Sequence, residues 1–124
     1  MYLLVDSPII IEFLKGNNKV VDIFLKAEKL YISVFDYSML MAGIYNSEKI
    51  NHNLYIIKNL IKENFEIINF ERKEAECFGK LKLKYPNVKN MWLMNISIAK
   101  IYNLTLFTMN ENYHSLNVKG LKII

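Results

Sequence analysis

The sequence predicts an α/β fold of three layers, with a five-stranded parallel sheet and helices on both faces. Three observations carry this expectation. Apolar runs of strand length alternate with longer stretches whose apolar residues recur at three-four spacing. Most segments between successive strands are long enough for helical crossovers, which parallel strands require. Breaker clusters fall between the runs and not inside them, as at Gly16-Asn17-Asn18 and Tyr85-Pro86-Asn87.

The first strand is expected over residues 2–5, apolar and closed by Asp6. Residues 9–14 are apolar apart from Glu12 and form a helix that stops at Gly16. A short amphipathic helix follows over 20–26, then a second strand over 29–34. Asp36 is placed as the cap of the next helix, because its carboxylate can accept from the free N–H groups of a first turn. That helix carries Met39, Leu40, Gly43 and Ile44 at three-four spacing and closes near Asn46-Ser47. Residues 53–63 put Leu54, Ile57, Leu60 and Ile61 on one helical face. A third strand is expected over 65–70. The helix over 71–83 has acids early and lysines late, which suits its dipole. Residues 91–102 are apolar nearly all round, so this helix is expected to be buried on most sides. A fourth strand over 104–108, a short turn and a fifth strand over 121–124 complete the order.

A chain of 124 residues suggests a single domain spanning 1–124. Hydrophobic residues make up 52% of it, enough for a core without disulfides or structural metals. The single cysteine, Cys77, excludes an internal disulfide framework and fits a reducing compartment. The first apolar run is short, carries Asp6 and lacks a basic leader, so no signal peptide is expected. No segment approaches the roughly 20 apolar residues that span a bilayer. These features predict a cytoplasmic protein with no membrane partner. The net charge of +4 is almost all lysine, Arg72 being the only arginine. A solubilising lysine surface is the simpler reading of that charge, ahead of a nucleic-acid patch. Lys80, Lys82 and Lys84 are read as the solvated side of a helix end.

Ligands of open parallel sheets bind beyond the carboxyl ends of the strands, where strand order reverses. Asp6 ends the first strand, residues 33–36 follow the second, and Thr108-Met109-Asn110 follows the fourth. These segments are expected to meet in one crevice. Asp6 has two roles open to it, a cap for the helix around Pro8 and a site carboxylate, and the two can coexist. His52, His114 and Cys77 have no metal-type spacing, and the four glycines form no phosphate loop. Trp92 is read as packing and not as a stacking platform.

These residues together resemble a known family. Asp6-Ser7 before an apolar helix is similar to the Asp-Thr/Ser-Asn opening of PIN-domain ribonucleases of the VapC toxin type. The run from Ile32 to Leu40 looks like their second motif, in which a Glu-Leu pair stands in the place of Met39-Leu40. Asn95-Ile96-Ser97-Ile98-Ala99 resembles their Asp-x-x-Ile-Ala motif, with Asn95 at the acid. The run from Asn103 to Asn110 matches their Leu-x-Leu-Val-Thr-x-Asp/Asn strand, with Asn110 at the last acid and Tyr113 where a Phe is usual. The likeness spans the chain in order and spacing and implies a PIN-like fold.

It also implies a Mg²⁺- or Mn²⁺-dependent endoribonuclease whose carboxylates hold the ion that activates water at an RNA phosphate. Three of the four acidic positions here are Met39, Asn95 and Asn110, leaving Asp6 as the retained acid and the metal ligand if any ion binds. A thioether is a poor ligand for Mg²⁺, and an amide oxygen carries no charge. Two carboxylates are open as substitutes: Asp36, otherwise a helix cap, and Glu111, otherwise a surface turn residue. Asn95 otherwise bonds local backbone, and Asn110 otherwise forms a turn. Ser7 and Thr108 shape the site. The expectation is a crevice that keeps its form with a weakened field and no cofactor, in which the asparagines bond to Asp6 or to each other. Mg²⁺ or Mn²⁺ is expected only if the site is active. The resemblance further implies a homodimer and an antitoxin-like protein partner, with RNA as another. Met39, Met41, Met91 and Met94 could supply adaptable contacts to a partner helix, although core packing is the simpler role for most. Two functions therefore compete: a degenerate PIN-like binding protein, and an active endoribonuclease with a rearranged site.

Overall fold

Leu3, Leu4 and Val5 are almost wholly buried, and they form the centre of the sheet. The computed structural model describes residues 1–124. Strand β1 spans Tyr2–Val5 and helix α1 Ser7–Leu14; α2 is Asn18–Lys26 and β2 Lys29–Ser33. Helices α3 (Val34–Tyr45) and α4 (Ile50–Asn64) precede β3 (Phe65–Ile68). Helices α5 (Arg72–Lys84) and α6 (Asn90–Ile101) precede β4 (Thr105–Phe107). A short α7 (Glu111–His114) and β5 (Lys122–Ile123) end the chain.

All five strands are parallel, in the order β3-β2-β1-β4-β5. Register is set by Leu3 opposite Leu30 on one side and Thr105 on the other. Alternation along the strands divides the core into two layers. Leu3, Val5, Leu30, Ile32 and Phe107 face a cluster completed by α1 to α4. Leu4, Ile68 and Leu106 face a second cluster completed by α5, α6 and α7. The expected three-layer α/β fold, a five-stranded parallel sheet with helices on both faces, is the fold observed.

Several local expectations are corrected. Ser33, not Asp36, caps α3: its Oγ accepts from the Asp36 N–H at 3.1 Å. Asp36 sits one turn in, and its carboxylate accepts from the Ser33 hydroxyl at 3.2 Å. Met39 shares the spacing of Leu40 and Ile44, yet it is 53% exposed while they are buried. The 108–121 connection contains α7, because the Asn110 side chain caps a helical turn there. Lys82 is not simply solvated; its ammonium donates to the Val88 carbonyl at 2.8 Å and ties down the loop after α5. Strand β4 stops at Phe107; the Thr108 N–H beyond it still donates to the Ile124 carbonyl at 3.3 Å, while its hydroxyl turns to a partner described below.

Sheet order reverses at β1. The chain steps from β1 outward through β2 to β3, then returns to the other side of β1 with β4. The carboxyl ends of β1 and β4 therefore flank the switch point, where a crevice is expected. Asp6 and Thr108 immediately follow those two ends.

Candidate functional site

Asp6 is 4% exposed at the end of β1. The expected cap of α1 is present, and the second carboxylate oxygen is held by another strand end. Its Oδ1 accepts from the Ile9 N–H at 3.3 Å, capping α1, with Pro8 in the first turn. Its Oδ2 accepts from the Thr108 hydroxyl at 2.5 Å, which joins the ends of β1 and β4. Thr108 in turn accepts from the Asn110 N–H at 3.0 Å.

Asp36 is the second carboxylate of the site, at 2% exposure. Its Oδ1 accepts from the Ser7 N–H at 2.9 Å. Its Oδ2 accepts from the Ser33 hydroxyl at 3.2 Å and from the Asn95 amide nitrogen at 2.7 Å. Asn95, 1% exposed on α6, also donates from that nitrogen to the Tyr113 hydroxyl at 3.3 Å. Its amide oxygen is buried with no hydrogen-bond partner. A buried carboxylate without donors is costly, and here each of the four carboxylate oxygens has at least one.

Charge and burial shape the titration of this cluster. Burial pushes the Asp6 carboxyl up from 3.8 to about 6. The Thr108 hydrogen bond opposes that, the Asp36 charge adds to it, and the Ile9 N–H opposes it. Burial also raises the Tyr113 phenol, with Asp36 and Asp6 adding to the rise against the Asn95 bond, so this hydroxyl stays protonated.

The other candidates lie elsewhere. Asn110 uses its amide oxygen to cap α7, accepting from the Asn112 N–H and the Asn112 side chain, each at 3.0 Å. Neither asparagine bonds to Asp6 or to the other, contrary to expectation; Asn95 pairs with Asp36 instead. Glu111 is exposed in the first turn of α7 and makes no hydrogen bond or ion pair from its carboxylate. No cluster of three or more His, Cys, Asp or Glu residues with metal-binding geometry exists. His52 and His114 are exposed, and Cys77 is half-buried against the second core layer. Trp92 packs on Tyr113 with ring centroids 5.7 Å apart, in keeping with a packing role.

Two side chains in the network were not assigned these roles from the sequence. Ser33 had a legible signal, the Ser-x-x-Asp spacing of a capping box. The Tyr113 hydroxyl had none, since its partner stands on another helix.

The cluster lies between two cavities. A groove of about 620 Å³ runs from Ser7 and Pro8 past Ile11, Leu14 and Met39 to Ile57, and it is mainly apolar. A second cavity of about 660 Å³, lined by Thr108, Glu111, His114 and Lys19, is more polar. No helix is long and apolar enough to cross a membrane.

No protein-family model matches the sequence, and no curated protein matches it either. Solved structures do match in shape. A chain of VapBC2 from Rickettsia felis, solved bound to a promoter DNA fragment, superposes with a TM-score of 0.85 at 21% identity. The match covers 100% of this chain and 98% of that one. A chain of DNA-bound VapBC from Salmonella typhimurium gives 0.84 at 19%, covering 100% and 97%. A chain of VapBC-1 from nontypeable Haemophilus influenzae gives 0.84 at 20%, with the same coverage. With five parallel strands, seven helices and this end-to-end likeness, the chain has a VapC-like PIN fold.

Proposed function

We propose that this protein is a degenerate PIN-domain protein of VapC-like ancestry, that its metal-dependent ribonuclease activity is weak or lost, and that it retains binding to a protein partner or RNA. One observation carries the reading: only Asp6 and Asp36 supply charge to the buried cluster, and all four of their oxygens already accept internal donors. Mg²⁺ and Mn²⁺ need several hard oxygen ligands. Here Asn95 turns an N–H₂ group toward Asp36, where an incoming cation would meet a donor. The donor set does not fit a resident divalent ion, and no hydrolytic step is derived through one.

Partner binding draws on the apolar groove beside Ser7 and Met39, whose mainly apolar lining suits an amphipathic helix. A chain of a toxin-antitoxin complex from Klebsiella pneumoniae has the same fold, as do the VapBC chains, which supports an antitoxin-like partner. A second copy of the chain is the other occupant in keeping with the family resemblance. RNA draws support from the net charge of +4.

The test is incubation of labelled RNA with the purified chain in Mn²⁺, beside an Asp6→Ala control. Equal, background cleavage by both is expected. Cleavage that needs Mn²⁺ and disappears in Asp6→Ala overturns the reading. It would support the second one, an active endoribonuclease with a rearranged site. That alternative is favoured by the meeting of Asp36 with Asp6 and by the unpartnered amide oxygen of Asn95. RNA phosphate would then complete the coordination.

A further inference from the structure

We propose that the Asn95 carboxamide is the internal substitute for a cation, and that a carboxylate at this single position would make the fold depend on a divalent ion. The proposal rests on the reading of the site as lacking a resident ion.

The geometry of Asp36 supports it. Its Ser7 and Ser33 donors come from the first residue of α1 and the end of β2, at the sheet rim. Asn95 comes from α6, in the opposite helical layer, 59 residues away. At 2.7 Å its bond is the shortest that Asp36 accepts, against 2.9 and 3.2 Å. The same nitrogen reaches Tyr113, so one amide ties Asp36 on α3 to α7. The positive end of the amide dipole therefore faces the carboxylate, as a cation would.

The unpartnered Asn95 oxygen is the second observation. A buried acceptor without a donor is unfavourable. Rotating the amide would leave oxygen facing oxygen at Asp36. The side chain thus keeps the orientation that serves the carboxylate and leaves its own acceptor unsatisfied. An aspartate here would lose the donor and bring a third buried anion to Asp6 and Asp36. Like charges repel in such a site, and oxygen-rich clusters of this kind are what hard divalent ions stabilise.

The experiment compares three proteins: the unaltered chain, Asn95→Asp, and the exchanged pair Asn95→Asp/Asp36→Asn, which keeps an amide–carboxylate bond with roles reversed. Each is melted in EDTA and in millimolar Mn²⁺, and Mn²⁺ uptake is read from the spin-resonance signal of the free ion. The unaltered chain should melt alike in both conditions and take up no ion. Asn95→Asp should melt about 5–10 °C lower in EDTA, recover in Mn²⁺ and take up the ion. The exchanged pair should melt well above Asn95→Asp in EDTA and ignore Mn²⁺. Equal melting of Asn95→Asp in both conditions overturns the proposal, as does its failure to fold in either. An exchanged pair no more stable in EDTA than the single variant also overturns it. Uptake of Mn²⁺ by the unaltered chain sinks the functional reading and the proposal with it, whereas an indifferent Asn95→Asp sinks the proposal alone.

Discussion

Asp6 joins two tasks that pull against each other. It caps α1 and holds Thr108, both of which favour its charged form, yet burial and the nearby Asp36 charge raise its pKa from 3.8 to about 6. A carboxyl whose pKa is higher folded than unfolded favours folding most when protonated. Its contribution is fully present below pH 3.8 and is lost as pH rises through about 6. Asp6→Asn removes that loss, since the amide keeps an acceptor for Ile9 and offers a donor to Thr108. The variant should match the unaltered chain near pH 4 and be more stable at pH 7 by about 2–3 kcal/mol at most. Urea denaturation at the two pH values checks it. At this scale the sequence revealed that Asp6 ends the first strand and that Met39 and Asn95 carry no charge. It did not reveal which substitute carboxylate faces Asp6. Asp36 and Glu111 are both acids just past strand ends, and only Asp36 is buried beside Asp6.

Helices α1, α2, α3, α5 and α7 start where a side chain accepts from free backbone N–H groups. Ser33 illustrates this at α3, where its hydroxyl accepts from the Asp36 N–H and donates to the Asp36 carboxylate. Ser33→Ala should cost about 1–2 kcal/mol and leave Asp36 with fewer donors; the shift of the urea midpoint measures it. Glu74 does related work in α5. It is fully buried, accepts from the Glu71 N–H at 2.9 Å, and receives the Tyr102 hydroxyl at 2.8 Å. Burial raises its carboxyl, but the Tyr102 bond and the backbone amides of Glu74 and Glu71 outweigh it and leave it below the ordinary value. Strand and helix identity was legible because periodicity reports which face is buried. The caps of α3 and α5 were less so, since a Ser, Asp or Glu near a helix start has several backbone groups within reach. The short α7 escaped notice because its four residues are too few to show a period.

The whole molecule sets the cluster between an apolar groove and a more polar cavity. Ile11, Leu14 and Met39 line the groove and are exposed, so folding does not depend on burying them. Ile11→Asp should therefore change stability by less than about 0.5–1 kcal/mol, as expected of a surface site. If the groove holds a partner helix, the same change should weaken partner binding at least about tenfold, because it puts a charge against an apolar face. Titration calorimetry with a cognate amphipathic peptide, paired with thermal melting, separates the two effects. By itself the sequence determined the alternation of strands and helices, the apolar first strand closed by Asp6 and the absence of charge at Met39, Asn95 and Asn110. Those properties are written in local periodicity and residue chemistry. Only the tertiary structure decided that Thr108 meets Asp6 across 102 residues and that Asn95 gives its amide to Asp36 across 59. Hydrogen-bond partners of buried groups are chosen by the packing of distant elements, and no neighbouring stretch of chain records that choice.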